Sequence, residues 1–106
     1  MTEEINNLNT DLKELFVDSK FDRMKDILDK IADSTIIEIT QYNFVIIKKY
    51  YEAQRYNILA QFIKFVAYSS FLCEYSVKRQ LISKEEYEEM FKMFTDIYLK
   101  IKEEQE

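Results

Sequence analysis

Across 106 residues the chain contains neither glycine nor proline. Those residues are the usual punctuation of a fold. Glycine reaches left-handed backbone geometry without strain, and proline fixes φ and withholds an N–H. Without them, helix boundaries must be marked by Ser, Thr, Asn or Asp caps, or by a shift in helical phase. The missing glycine also removes the phosphate-cradling loops of dinucleotide- and nucleotide-binding folds. Histidine is absent too, and with it go Ser-His and Cys-His nucleophilic chemistry and the histidine zinc sites. Tryptophan is the fourth missing residue type.

The apolar spacing predicts an all-α fold, a small bundle of four to five helices forming one domain over 1–106. A first helix over 3–17 carries Ile5, Leu8, Leu12, Leu15 and Phe16 at three- and four-residue steps, with Thr2 placed to cap it. A second, over 20–32, carries Phe21, Met24, Leu28 and Ile31. The segment Thr35–Thr40 (TIIEIT) alternates and is β-branched. It has no strand partner in a helical chain, so it reads as the start of a helix over 36–54 or as an extended connector.

From Gln41 to Gln80 the pattern is compatible with one long helix, but the polar face shifts. Lys48, Lys49, Glu52 and Arg55 share one side, whereas Lys64, Glu74, Lys78 and Arg79 share another, rotated by roughly 110° at 100° per residue. Either the two halves of one helix bury different sides against different neighbours, or, the favoured reading, a break near 54–57 leaves a separate helix over 57–80. Its wide apolar arc marks it as the central helix of the bundle. The last helix, over 84–104, has the clearest start, a capping box of Ser83 with Glu86, preceded by Ile82 as a staple onto Tyr87. Its apolar stripe is read as Tyr87, Met90, Phe91, Phe94, Ile97, Tyr98 and Ile101. No internal repeat is detectable.

Charge is unevenly spread over a chain of net charge −5. Residues 1–40 balance at −5, 41–82 at +4 and 83–106 at −4. The middle segment also holds six of the eight tyrosines. Its cations, Lys48, Lys49, Arg55, Lys64, Lys78 and Arg79, are candidates for contacts to a nucleic-acid backbone, with neighbouring tyrosines able to stack on bases. The competing explanation is a basic centre neutralised by acidic outer helices, and a chain pI near 4.9 favours it.

Asp18, Asp22, Asp26, Asp29 and Asp33 form one stripe along the second helix, read as a solvated face. Glu85, Glu86, Glu88 and Glu89 suit the first turns of a helix, where the dipole favours negative charge. Cys73 lies on an apolar seam and reads as a small hydrophobe.

These readings leave no catalytic set, so a non-enzyme is expected, without cofactor, metal or small-molecule substrate. The surplus of apolar and aromatic helix surface predicts a protein–protein interaction module: an inhibitor, adaptor or assembly subunit. The run Phe44–Val45–Ile46–Ile47 cannot hide every side chain behind one neighbour. Phe44, Ile47, Tyr50 and Tyr51 are therefore the candidate partner-binding residues. The partner is a protein or a second copy, in an intertwined or helix-paired homodimer. The alternative is a subunit of a nucleic-acid-processing or ribonucleoprotein complex.

A lone cysteine, no signal-peptide pattern and no apolar run long enough for a bilayer point to the cytoplasm and away from the membrane. The twelve lysines against three arginines, with abundant Ile, Asn and Tyr, match the usage of AT-rich genomes such as those of phages, archaeal viruses and plasmids.

Overall fold

A computed structural model describes residues 1–105 of the chain, and among these the secondary structure is entirely helical. Six helices follow one another: α1 Glu3–Val17, α2 Phe21–Lys30, α3 Asp33–Glu52, α4 Tyr56–Gln61, α5 Ile63–Lys78 and α6 Lys84–Gln105. The expectation of four to five is corrected by one element. The helix expected over 57–80 is divided at Phe62, whose backbone (φ −103°, ψ 23°) leaves helical geometry while its N–H is shared between Ile58 and Leu59. No residue there signals the irregularity, since Phe62 is neither a cap former nor a breaker. TIIEIT lies wholly inside α3, which begins at Asp33. Ile36 and Ile39 are buried, and the Thr40 hydroxyl bonds back to the Ile36 carbonyl at 2.8 Å. Burial against other helices overrides the strand propensity of these residues.

Side-chain caps and main-chain turns divide the helix boundaries between them. Thr2 Oγ1 accepts from the Ile5 N–H at 3.2 Å, and the Ser83–Glu86 capping box is closed in both directions. Three helix ends use left-handed residues that are not glycine: Ser19 (φ 60°), Gln54 (φ 56°) and Gln80 (φ 62°). Each is followed by a residue whose N–H reaches the carbonyl five positions back. The pairs are Lys20 to Leu15 at 2.8 Å, Arg55 to Tyr50 at 2.9 Å and Leu81 to Ser76 at 2.8 Å. This is the Schellman arrangement, which satisfies helix-terminal carbonyls by main-chain bonds alone.

The first two of these corners are nearly superimposable. Asp18 and Ala53 (φ −83° and −80°) precede the left-handed residue, and Lys20 and Arg55 (φ −90° and −88°, ψ 59° for both) follow it. An edge-to-face aromatic pair closes each corner, Phe16 with Phe21 and Tyr51 with Tyr56. The chain thus contains a local structural repeat that residue identities conceal.

The core has two lobes joined by α5. One gathers Leu12, Met24, Leu28, Ile36, Ile39, Tyr68 and Leu72 from α1, α2, the first half of α3 and α5. The other gathers Ile47, Leu59, Val66, Cys73 and the inner stripe of α6, and Phe65 packs against both. A buried polar cluster crosses the centre. Asn9 and Asn43 exchange amide hydrogen bonds at 2.8 and 3.2 Å, and the Tyr68 hydroxyl donates to Asn9 Oδ1 at 2.8 Å. Thr40 on α3 and Ser76 on α5, 36 positions apart, pair their buried hydroxyls at 3.0 Å. Among the described residues no buried side-chain nitrogen or oxygen lacks a partner. At 22 residues α6 spans ~33 Å, and it packs against α5, α4 and α3.

Candidate functional site

Phase decides which apolar residues of α3 and α6 reach solvent. On α3, Ile47 turns inward and is 1% exposed, within the second lobe. The structure therefore corrects its assignment as a surface residue. Of the Phe44–Ile47 run it is Val45 that points outward, 62% exposed. Phe44, Tyr50 and Tyr51 are half-buried, so they retain an accessible edge. Tyr50 leans on Phe62, with ring centroids 6.5 Å apart, away from the surface formed by Phe44 and Tyr51.

On α6 the inner stripe is Met90, Met93, Phe94, Ile97 and Ile101. Phe91 and Tyr98 were expected in that stripe, but they flank it and are 48% and 39% exposed. Leu99, which no periodicity argument singled out, is 54% exposed. These residues lie one helical step outside the buried arc, so a list of apolar positions at three- and four-residue spacing merges both faces.

Phe44, Tyr51, Phe91, Met93 and Leu99 line a groove of about 840 Å³ along α3 and α6. Its floor is held by contacts between the two helices. The Phe44 ring meets Phe94 edge-on, with centroids 6.5 Å apart. Lys48 lies 5.7 Å above the Phe44 ring and pairs with Glu89 at 3.5 Å. Both charges of that pair are well exposed, so it positions the side chains more than it stabilises the fold. The Tyr51 hydroxyl donates to Asp96 at 2.5 Å. That bond, assisted by burial and by the carboxylate's charge, pushes Tyr51 up to about 12, so it remains a donor at physiological pH.

The groove is lined by apolar side chains with charged residues among them. Its acids are the rim residues Glu52, Glu88, Glu89 and Asp96, and its bases are Lys48 and Lys92. Among the described residues no three His, Cys, Asp or Glu side chains converge as a metal site would require. Cys73 lies away from the groove, with its thiol 3.4 Å from the Met90 sulfur, and burial pushes it up to about 12. It is held as a thiol.

The six candidate nucleic-acid cations are not brought together as one set. Arg79 bridges the end of α2 and the start of α3, with Nη1 3.3 Å from Asp29 and Nη2 3.6 Å from Asp33. Its guanidinium also bonds the Tyr75 hydroxyl, which donates onward to Asp29 at 2.8 Å. Lys48 is held by Glu89. Two of the six cations thus pair with acidic neighbours in the chain, and the aspartate stripe expected along one helix is divided: Asp18 caps the end of α1, Asp22, Asp26 and Asp29 lie on α2, and Asp33 opens α3. Lys49 on α3, Arg55 between α3 and α4, and Lys64 and Lys78 near opposite ends of α5 are exposed.

Among the described residues no helix is long and apolar enough to cross a membrane. Compared with models of protein families, with curated proteins and with solved structures, the chain matches none.

Proposed function

We propose that the chain is a non-enzymatic protein–protein interaction module that works through the α3–α6 groove. It would serve as an inhibitor, adaptor or assembly subunit in a reducing compartment such as the cytoplasm. The observation that carries the reading is the exposure of Phe91 and Leu99 beside Phe44 in one groove. Contiguous apolar surface of this kind, rimmed by charge, is typical of association sites, where a few aromatic and aliphatic anchors supply most of the affinity.

The test is affinity purification of the tagged chain from its own host, with Leu99→Glu and Phe91→Glu as matched variants. A protein recovered in stoichiometric amount with the unaltered chain, and lost with either variant, is expected. Recovery unaffected by both variants refutes the groove as the working face.

The nucleic-acid reading retains the exposed cations Lys49, Arg55, Lys64 and Lys78. It requires binding of labelled single-stranded or duplex nucleic acid that weakens steeply with salt and weakens further when Lys49 and Arg55 become Ala. Absence of binding at low salt removes it.

A further inference from the structure

We infer that the occupant of the groove is a second copy of this chain, docked so that the two α6 helices run antiparallel about a twofold axis at Thr95. The inference rests on the interaction-module reading and names its partner. Its basis is the order of side chains along the outer face of α6. Glu88, Phe91, Lys92, Thr95, Tyr98, Leu99 and Lys102 are all exposed, and among the described residues none of Glu88, Lys92 and Lys102 takes part in an ion pair.

In an antiparallel pair, residues equally far on either side of the axis meet. Phe91 and Leu99 lie four residues either side of Thr95, so each phenyl ring meets the partner's leucine. Lys92 and Tyr98 lie three either side, which sets an ammonium against a phenol ring. Glu88 and Lys102 lie seven either side, which sets opposite charges against each other at both ends. Thr95 meets its own copy, and a small hydroxyl residue lets the helices approach there.

Charge order is what selects a second copy over another occupant. The face is acidic at Glu88 and basic at Lys102, so a uniformly basic or uniformly acidic helix mismatches one end. Only a helix with the reversed order fits both ends, and this chain supplies one. The paired stretch is ~21 Å long, which by itself buries less than the roughly 1,600 Å² of a standard interface. Phe44 and Lys48 on the groove wall extend it, and the expected dimer is correspondingly weak, dissociating in the micromolar range.

Sedimentation equilibrium of the full chain up to about 100 µM tests the association. The unaltered chain is expected to dimerise. Glu88→Lys and Lys102→Glu each create two like-charge contacts per dimer and are expected to weaken it about tenfold, while the combined swap restores it to within about threefold. In parallel, Thr95→Cys is expected to form a disulfide-linked dimer under mild oxidation, and Lys49→Cys, on the side of α3 away from the groove, is not. A purely monomeric chain overturns the inference. So does a dimer indifferent to both charge reversals, or one in which Thr95→Cys fails to crosslink. If the chain is monomeric but recovers a different protein that Leu99→Glu releases, self-pairing falls and the interaction face stands. If it is monomeric and recovers nothing, both fall.

Discussion

Replacing the left-handed residues Ser19, Gln54 and Gln80 with glycine should stabilise the chain, because each carries a Cβ where glycine would carry none.

 Ser19, Gln54 and Gln80 sit at φ 60°, 56° and 62°. A side chain with a Cβ costs about 1–2 kcal/mol in that region. Glycine removes this strain but gives back about 0.5–1 kcal/mol through the greater freedom of the unfolded chain. The net gain is therefore about 0.7 kcal/mol per site, or ~2 kcal/mol for the triple variant. The three residues lie in separate turns and share no hydrogen bond, so their effects should add.

For a domain of this size that sum corresponds to a rise in Tm of about 8 °C. Thermal and urea unfolding followed by far-UV circular dichroism measure it, with an unchanged urea slope showing that the states compared are the same. Lys49→Gly, at an exposed position inside α3, is the matched control and should lose about 1 kcal/mol. If Gln54→Gly lowers the unfolding midpoint as Lys49→Gly does, the left-handed strain assigned to the corners is wrong.

Three further outcomes follow from the interior and the caps. Asn43→Ala leaves the buried Asn9 amide N–H without its acceptor, while Tyr68 still bonds Asn9 Oδ1, and should cost about 2–3 kcal/mol. In a double-mutant cycle with Asn9→Ala, the combined loss should be smaller than the sum of the two, and strict additivity would show that the amides act independently. Ser83→Ala opens the capping box and should lower stability by about 1 kcal/mol in urea unfolding, with α6 otherwise intact. Tyr51 is raised from 10 to about 12 in the folded chain. Its contribution is therefore fully present below pH 10 and is lost as pH rises through about 12. Relative to Tyr51→Phe, the unaltered chain should lose stability over that window. Parallel curves for the two proteins would contradict the Asp96 bond as the cause.

Helix starts were legible where a side chain makes the cap, as at Thr2 and Ser83, because the residue that does the work is the residue in the sequence. Helix ends were less so. The phase shift placed a break near 54–57, and the structure has Ala53, Gln54 and Arg55 between α3 and α4. The turn itself is made by main-chain bonds, which any residue can supply, so Gln54 carries no mark of its role. Phe62 was invisible for the same reason. The Asn9–Asn43–Tyr68 cluster joins residues 34 and 59 positions apart, and no local pattern reports such a pairing. At the groove, Phe44 and Tyr51 were found because an apolar run too wide for one neighbour must leave something outside. Ile47 was assigned to the surface though it is buried, Phe91 to the inner stripe though it is exposed, and Leu99 was missed, because one helical step separates a buried position from an exposed one.

The corners also bear on how this chain can change over generations. A turn fixed by backbone bonds demands no particular side chain, only tolerance of one left-handed residue. Substitutions there alter stability by a fraction of a kcal/mol without redirecting the helices. Ser-Lys and Gln-Arg already serve the same geometry at 19–20 and 54–55. Lineages built this way can exchange nearly every residue of their turns while keeping the path of the chain, so ancestry fades from the letters sooner than from the shape.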